Sequence, residues 1–293
     1  MIVVRLMGGL GNQMFQYAFG RQLAIDRNTN LGIDLSWFDE YADVDTLRFY
    51  ELDCFNIQEH FINRSDFVMR AWDEKTTPKR LAYLYTKALR KPKLRIYLQE
   101  GHNFKDQVLR LPNNTYIEGW WQSEKFFKPI RPVLLDDFSF KEPPSGNNKK
   151  ILEQIKKSPA VSLHVRRGDY VFNAHANKFH GLKGLDYYQA ALKHITKKLA
   201  KPTLFVFSDD LDWCKQNLKL DARMIFVEGN KKGSEDMRLM MHCQHNITAN
   251  SSFSWWAAWL NKNPDKIVIA PKQWFNEPGV DTSDVIPESW IKI

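Results

Sequence analysis

The chain has 293 residues, 43% of them hydrophobic, and a formal net charge of +8, and this length suits two domains with substantial cores better than one. Its three cysteines, Cys54, Cys214 and Cys243, are too few and too scattered for a disulfide framework or a zinc site, which predicts a reducing compartment. Because no apolar stretch is long enough to span a membrane and no hydrophobic signal segment follows Met1, we expect a cytoplasmic protein.

The first elements predicted along the chain form a βαβ unit. Residues Ile2 to Leu6 are typical of a buried strand, and a glycine-rich turn follows them. Amphipathic spacing then predicts a helix capped by Asn12, and Leu31 to Leu35 is the next strand. The turn lacks the third glycine of a dinucleotide-binding fingerprint, because Met14 stands at that position, so it is not predicted to bind a nicotinamide cofactor.

A basic segment, residues 75–95, carries eight lysines or arginines and no acidic residue, so its charge equals the net charge of the whole chain. Apolar residues at helical spacing within it are compatible with a helix that binds an anionic surface such as the inner membrane, or with an anionic-acceptor site. On the pattern alone, a solvated helix whose apolar side packs on the domain is the more common outcome. A nucleic-acid partner is not expected, because the charge is confined to this segment and no recognised binding module accompanies it.

The clearest domain boundary is the polar segment Lys141–Lys150, which contains paired prolines and a glycine. It predicts one domain over residues 1–145 and a second over residues 151–293. In the second domain apolar runs alternate with helical segments, which predicts an α/β fold with a doubly wound parallel sheet. The apolar runs lie at 160–165, 203–207, 223–227, 245–249 and 266–270.

Polar groups follow four of these apolar runs. They are Arg166-Arg167-Gly168-Asp169, Ser208-Asp209-Asp210, Glu228-Gly229 and Asn250-Ser251-Ser252. The carboxyl ends of parallel strands lie at one edge of a sheet, where helix N-termini and loop amides also converge, so we expect these groups to form one ligand site. A nucleotide diphosphate is the ligand that such an edge suits best.

Each group has a candidate role at this site. Arg166 and Arg167 carry planar guanidinium groups that bind two phosphate oxygens at once, although a solvated turn with an internal ion pair is the plain alternative. His164 lies two residues before Arg166 on the same strand, so it is expected to contact the base or the ribose, unless it is a core histidine bonded to a backbone carbonyl. Ser208, at the end of the next strand, is a further candidate for binding the donor. Residues 250–252 hold a diphosphate oxygen, serve as an N-cap, or do both.

Two aspartates are candidates for binding a nucleobase. The carboxylates of Asp209 and Asp236 could each accept hydrogen bonds from the N1–H and amino groups of guanine, a pairing that adenine does not offer. For Asp236 the pattern alone favours another interpretation, an acid in the first turn of a helix. Asp210 and Asp212 form an Asp-x-Asp pair, but they stand at a helix start and are interpreted as capping residues rather than as metal ligands.

Three blocks of the sequence, in this order along the chain, resemble glycosyltransferase family 11, which comprises the α-1,2-fucosyltransferases. They are residues 8–18 (GGLGNQMFQYA), 161–170 (VSLHVRRGDY) and 246–256 (NITANSSFSWW). The resemblance implies a GT-B-like fold in which two Rossmann-like domains face a cleft, with the acceptor on the N-terminal domain and the nucleotide sugar on the C-terminal one. It also implies GDP-fucose as donor, inversion at the anomeric carbon, no metal or other cofactor, and the guanine-binding role for Asp236.

The implied reaction is the transfer of L-fucose from GDP-fucose to the 2-hydroxyl of a terminal β-galactoside, in the synthesis of a surface glycan or a lipopolysaccharide O-antigen. Arg166 or Arg167 would neutralise the leaving diphosphate, a task that metal ions perform in other transferases. Asp169 is the nearest carboxylate that could act as the base, unless an arginine holds it in a salt bridge. Gly9 and Asn12, on the glycine-rich turn, are expected to contact fucose or phosphate.

Tryptophans are conspicuous in both halves of the chain. Trp120 and Trp121, with polar residues on either side, are predicted to bind the acceptor sugar, whereas Trp255, Trp256 and Trp259 are predicted to lie in the core. Three alternative functions stay open: a transferase for another nucleotide sugar or linkage, a non-catalytic carbohydrate-binding protein, and a nucleic-acid-binding protein. The second is disfavoured because a lectin has no use for a diphosphate site.

Overall fold

A computed structural model of the chain describes residues 1–41, 47–63, 67–71, 93–168, 171 and 181–293. It contains two compact units, Met1–Lys141 and Glu142–Ile293. The division falls at the start of the polar segment that the sequence marks as a boundary. Of the basic segment, only residues 93–95 are described, at the start of a strand. The predicted roles of the two halves, acceptor side and donor side, stay predictions.

The first unit is built on a five-stranded parallel sheet. Its strands are β1 (Ile2–Arg5), β2 (Leu31–Asp34), β3 (Val68–Ala71), β4 (Lys93–Leu98) and β5 (Thr115–Glu118). They stand in the order β2-β1-β5-β4-β3. The helices described in this unit are α1 (Leu10–Asp26), α2 (Ser36–Glu40) and α3 (Arg131–Asp137), with short 3-10 helices at Leu52–Cys54, Asp106–Arg110, Glu124–Phe126 and Lys128–Ile130.

Helix α1 follows the glycine-rich turn and is enclosed on almost every side, with 13 of its 17 residues buried. The predicted helix is confirmed, but the predicted cap at Asn12 is wrong. The helix begins at Leu10 with Gly9 as its N-cap residue, so Asn12 already lies in the first turn. The N–H of Leu10 donates instead to the carboxylate of Glu51, at 2.9 Å, because a distant loop folds back over the turn.

The second unit is built on a six-stranded parallel sheet. Its strands are β6 (Ala160–Val165), β7 (Thr203–Ser208), β8 (Arg223–Phe226), β9 (His245–Ile247), β10 (Val268–Ala270) and β11 (Ile291–Lys292). The helices described here are α4 (Gly146–Lys156), α5 (Leu185–Thr196), α6 (Leu211–Asn217), α7 (Gly233–Met240) and α8 (Ser252–Leu260). Over the described part of the chain, no helix is long and apolar enough to cross a bilayer.

The strand order of this sheet is β11-β10-β9-β6-β7-β8. The chain therefore runs outward from β6 through β7 to β8 and then returns to the other side of β6 to add β9, β10 and β11. This is the order of a Rossmann-like, doubly wound sheet with its switch point between β6 and β9. The predicted α/β fold with a doubly wound parallel sheet is confirmed. Together, the two units supply the two Rossmann-like sheets of a GT-B-like fold.

Helix α8 is anchored firmly in the core of the second unit. Trp255, Trp256 and Trp259 are buried, as predicted. The indole N–H of Trp255 donates to the carbonyl of Val285 at 2.8 Å. Truncating one buried tryptophan to alanine typically costs about 3–5 kcal/mol. The three rings therefore fix the position of α8, and its N-terminus is a rigid part of the sheet edge.

Candidate functional site

Most predicted site residues of the second unit follow the carboxyl ends of β6, β7 and β9, whereas Asp236 lies in α7, after β8. Strand β6 pairs with β7 from Ala160 opposite Thr203 to Val165 opposite Ser208, and it pairs with β9 on its other side. The loop after β6 therefore lies between the ends of two neighbouring strands. Ligands of doubly wound sheets bind in the crevice outside the carboxyl ends at the switch point. The edge formed by β6 and β9 is accordingly the candidate site.

Helix α8, which follows β9, begins at this edge. The partial positive charge at its N-terminus is not compensated by a capping side chain or by an acid in its first turn. Ser251 is its N-cap residue, but no side chain caps the helix and its first turn contains no acidic residue. The other helices described after strands of this sheet, α5, α6 and α7, each carry an acid in the first turn. The first amides of a helix bear partial positive charge. The N-terminus of α8, with Ser251 and Ser252, is therefore suited to bind an anion such as a diphosphate.

The loop after β6 is organised by Asp209. Its Oδ2 lies 2.7 Å from Nη1 of Arg166, and its Oδ1 accepts a hydrogen bond from the backbone N–H of Arg167 at 2.8 Å. A Cβ on Gly168 would overlap the same carboxylate, so a side chain there would force Asp209 to shift. The predicted guanine contact of Asp209 would compete with these two partners. Support of the loop is the better interpretation of this residue.

Arg167 is held against the start of α6. Its Nε donates to Oδ2 of Asp210 at 3.1 Å, and its guanidinium carbon lies 3.8 Å from the ring centroid of Trp213. Asp210 caps α6, as predicted, by accepting from the N–H of Trp213. The N–H of Asp210 in turn donates to Oγ of Ser208 at 2.9 Å, so Ser208 belongs to the same turn. Arg167 therefore braces the loop against α6, whereas Arg166 pairs with Asp209.

His164 is buried at the end of β6. Its Nδ1 has no hydrogen-bond partner among the residues that the structure describes. The alternative of a core histidine bonded to a backbone carbonyl is therefore not observed at this nitrogen. Burial lowers the pKa of His164 to about 4, against an opposing effect of Asp209, and Arg166 lowers it further. The ring is therefore neutral at physiological pH. It lies 5.4 Å, between centroids, from Phe253 in the first turn of α8.

Asn250 is buried between the loops that surround α8. Its Nδ2 donates to the carbonyl of Gly181 at 3.1 Å and to that of Trp274 at 3.2 Å. The side-chain amide predicted to bind the donor is thus engaged in joining two neighbouring segments to the start of α8. Asn250 positions the helix N-terminus, and a direct donor contact stays a prediction.

Asp236 lies in the first turn of α7, in a network of amide side chains. Its Oδ1 accepts from Nδ2 of Asn230 at 2.7 Å, and Oδ1 of Asn230 accepts from Asn148 at 2.7 Å. Burial raises the pKa of Asp236 to about 6, although the Asn230 hydrogen bond lowers it and Glu235 raises it. An acid stabilised mainly by a helix dipole would show a lowered pKa. Burial, rather than the helix dipole, therefore dominates the pKa of Asp236, and its contact with guanine stays a prediction.

In the first unit, the glycine-rich turn joins β1 to α1. Gly8 has a φ of 69°, in the left-handed region that favours glycine. A Cβ on Gly9 would lie 3.3 Å from the guanidinium of Arg48. Asn12 accepts at Oδ1 from Nε2 of Gln122 at 2.9 Å. The contacts of Gly9 and Asn12 with fucose or phosphate stay predictions.

The two tryptophans predicted to bind the acceptor have different environments. Trp120 is 36% exposed, but Trp121 is fully buried and packs against Phe19 and Phe126. The prediction for Trp121 is wrong, because its enclosed ring offers no face to a sugar. The prediction for Trp120 stands. Asp169, the predicted base, lies outside the described residues.

Sequence reasoning missed several side chains that hold the site residues in place. Trp213 lies under Arg167, Asn230 bonds to Asp236, and Gln122 bonds to Asn12. The contact of Trp213 could have been predicted from the sequence, because Trp213 lies three positions after the capping Asp210 and therefore close to the strand end. The amides of Asn230 and Gln122 lie in loops, where no periodic pattern of the sequence predicts such contacts.

Comparison with known proteins shows similarity over the whole chain. The model of glycosyl transferase family 11 matches residues 1–293. An alpha-1,2-colitosyltransferase of Escherichia coli is 35% identical, with 100% of this chain and 98% of the relative aligned. The O-antigen biosynthesis glycosyltransferase WbnK of Escherichia coli is 33% identical, over 98% of this chain and 99% of the relative. The galactoside 2-alpha-L-fucosyltransferase Sec1 of Mus musculus is 26% identical, over 69% of this chain and 62% of the relative.

Replacing Asp236 with asparagine tests whether its buried charge costs stability. The folded-state pKa of about 6 lies above the ordinary value of 3.8, so the folded protein holds the proton more tightly than the unfolded chain. Stability from this group is present below about pH 4 and is lost as the pH rises through about 6. We expect Asp236→Asn to raise the free energy of unfolding at neutral pH by on the order of 1–2 kcal/mol, with little effect near pH 4.

Urea unfolding at the two pH values measures this difference. Asp212→Asn is the matched control, because Asp212 is an exposed acid in the first turn of α6. It should lower stability slightly, as the loss of a helix-start acid does. If Asp236→Asn behaves like Asp212→Asn at neutral pH, Asp236 is a helix-start acid after all.

Proposed function

The chain belongs to glycosyltransferase family 11, and from this premise we propose that it transfers L-fucose from GDP-fucose to the 2-hydroxyl of a terminal β-galactoside. At the coarser level it is a glycosyltransferase of the fucosyltransferase family that acts in O-antigen synthesis. One structural observation supports a nucleotide-sugar donor: the acid-free N-terminus of α8 lies at the switch point beside the arginine loop. An edge of this kind suits the diphosphate of a nucleotide sugar. The sugar and the linkage are proposed from the family alone.

The proposed mechanism places charge neutralisation on the protein. Cleavage of the bond between fucose and the β-phosphate leaves negative charge on GDP and oxocarbenium character on the sugar. The amides of α8 and the guanidinium of Arg166 neutralise the leaving group. Asp209 holds that guanidinium at 2.7 Å, so the donor meets a charge that is already oriented. Preorganised charge of this kind is usually the largest contribution to catalysis.

Guanine recognition is proposed for Asp236. With a pKa of about 6, its carboxylate is largely ionised at neutral pH and can accept from the N1–H and amino groups of guanine. Asn230 donates to this carboxylate, and Asn148 in turn donates to Oδ1 of Asn230. The neutral ring of His164 is proposed to contact the ribose or the base.

The acceptor hydroxyl must attack from the face opposite the leaving group, with help from a base. Asp169 follows the arginine loop in sequence and stays the proposed base. Metal independence, a cytoplasmic location and contact of the basic segment with an anionic membrane are further proposals. They rest on the sequence patterns and on the family resemblance described above.

The full-length relative from Escherichia coli favours a second candidate donor sugar. Colitose is L-fucose without its 3-hydroxyl, so GDP-colitose offers the same leaving group. A site that hydrogen-bonds the 3-hydroxyl rejects colitose strongly, because a buried polar partner is left unpaired, whereas an apolar contact accepts both sugars. Turnover with GDP-fucose and GDP-colitose, with lactose as acceptor, separates the two. A clear preference for GDP-colitose would replace fucose as the transferred sugar and leave the family-level activity intact.

GDP is expected to raise the melting temperature equally in EDTA and in magnesium, because helix amides and arginine hold the diphosphate. At a GDP concentration about a hundred times Kd, the stabilisation amounts to about 2.7 kcal/mol. ADP and UDP should stabilise the protein less, since Asp236 pairs with guanine. Thermal-shift measurements with the three nucleotides test both points. Equal stabilisation by all three contradicts guanine recognition, and loss of the GDP effect in EDTA contradicts metal independence.

The two adjacent arginines provide a matched pair of variants. Arg166→Lys keeps the charge but loses the bidentate fork, so we expect roughly a hundredfold loss of turnover with an unchanged melting temperature. Arg167→Lys loses the stack on Trp213 and the bond to Asp210, so it should cost more stability and less turnover. Initial rates with GDP-fucose and lactose, with melting curves of the ligand-free variants, measure both effects. Wild-type turnover of Arg166→Lys would remove Arg166 from the mechanism. So would a greater loss of turnover in Arg167→Lys than in Arg166→Lys.

A further inference from the structure

A cavity of about 930 Å³ lies at the carboxyl ends of β10 and β11, within the second unit. Pro271, which follows β10, and Ile293, which follows β11, both line it. Its other walls are the segment 181–184, the first turns of α5 and the loop 271–282. Ligand pockets of proteins measure roughly 300–1,000 Å³. None of the predicted site residues is among the described residues that line this cavity.

The cavity adjoins the start of α8. The two carbonyls that Asn250 binds, those of Gly181 and Trp274, belong to the two segments that form its walls. Asn276 of the second segment packs on Gly181, where a Cβ would overlap its side-chain amide. Strand β10 pairs with β9, which leads to α8, and β11 pairs with β10. Neighbouring strands lie about 4.8 Å apart, so the cavity lies on the order of 10 Å from the proposed diphosphate site.

Lys183 joins the two walls of the cavity. Its Nζ donates to the carbonyl of Gln273 at 2.9 Å, so the segment before α5 is tied to the loop after β10. Burial lowers the pKa of Lys183. An ammonium group carries three N–H donors, and the bond to Gln273 uses one of them. The walls are therefore held in place by the protein itself, and further donors of Lys183 are available to a ligand.

The charged side chains along the described lining balance one another. Lys183 and Lys272 carry two positive charges, and Asp186 and Glu277 carry two negative ones. Phosphate groups and nucleic acids bind where positive charge is in excess. This lining gives such ligands no advantage, and it suits a molecule without net charge.

Apolar and hydrogen-bonding groups are interleaved around the cavity. Tyr187 and Phe275 contribute rings, whereas Gln273 and Asn276 contribute amides, which both donate and accept hydrogen bonds. A sugar ring offers C–H groups to apolar surfaces and hydroxyls to amides. A lipid tail would leave the amides without partners, which costs free energy. The mixed lining therefore fits a carbohydrate better than a lipid.

We propose that this cavity binds a neutral sugar of the acceptor glycan, beyond the galactose that receives fucose. This inference rests on the proposed function and extends its substrate from a terminal galactoside to an oligosaccharide. The C–H groups of the sugar pack on the rings and prolines of the cavity, and its hydroxyls bond to the amides of Gln273 and Asn276. The position of the cavity beside the start of α8 places this sugar at the same sheet edge as the donor.

The test fills the cavity without removing a side chain from its wall. Ala190 is exposed on α5 and lines the cavity, so Ala190→Trp places an indole ring inside it. We expect KM to rise about tenfold for lacto-N-neotetraose, a neutral tetrasaccharide that ends in β-galactose, because a sugar loses its contacts. KM for methyl β-galactoside, which has no further sugar, should be unchanged, as should the rise in melting temperature that GDP causes.

Gln189→Trp is the matched control, because Gln189 is the exposed neighbour of Ala190 on α5 and does not line the cavity. It should behave as the wild type with both acceptors. Gln273→Ala removes one exposed amide and should raise KM for the tetrasaccharide about fivefold. This variant keeps the test available if Ala190→Trp does not fold.

Saturation-transfer NMR of the tetrasaccharide reports binding without turnover. The signals of its inner sugars should appear with the wild type and with Gln189→Trp and be lost with Ala190→Trp. Equal KM values of the two acceptors for the wild type, or equal losses in the two tryptophan variants, overturn the inference. Loss of GDP stabilisation in Ala190→Trp also overturns it, because the cavity then belongs to the nucleotide. If the wild type neither binds GDP nor hydrolyses GDP-fucose, the proposed function fails, and the NMR comparison still decides whether the cavity binds a sugar.

Discussion

The candidate donor site depends on one carboxylate, that of Asp209, which reaches from the end of β7 to the loop after β6. It fixes the guanidinium of Arg166 and the backbone of Arg167 at once, and a side chain at position 168 would displace it. Two adjacent arginines repel each other unless each has its own counter-charge, and Asp210 supplies the second one. Partly exposed ion pairs contribute little to stability. Here the two ion pairs orient the arginines instead, because Asp209 pairs with Arg166 and Asp210 pairs with Arg167.

The N-termini of α1 and α8, which follow the two loops predicted to bind the donor, are compensated differently. The first amide of α1 already binds the carboxylate of Glu51. Helix α8 has neither a capping side chain nor an acid in its first turn. A helix end that already holds a carboxylate has less capacity for a phosphate. A diphosphate is therefore better suited to the N-terminus of α8 than to that of α1, and the division of donor and acceptor between the two units stays a prediction.

The architecture of the second unit was predictable because strands and helices alternate with clear polar breaks, and a parallel sheet places those breaks at one edge. The partners of each polar residue were not predictable. Asp209 meets Arg166 because Val165 stands opposite Ser208, and that register is decided by the whole sheet. Trp120 and Trp121 have the same polar residues on either side, but Trp121, at a positive φ, is buried and Trp120 is exposed. The capping role assigned to Asn12 failed because Glu51 acts from 41 residues away.

The contact between Arg167 and Trp213 has an optical consequence. The emission of an indole ring responds to nearby charge, and here a guanidinium lies 3.8 Å from the ring centroid. Trp255, Trp256 and Trp259 pack on one another inside the core, so their fluorescence follows unfolding of the second unit rather than events at its edge. Any displacement of Arg167 changes the surroundings of Trp213 alone among these rings. Trp213, one of ten tryptophans in the chain, is thus the ring whose emission depends on the position of Arg167.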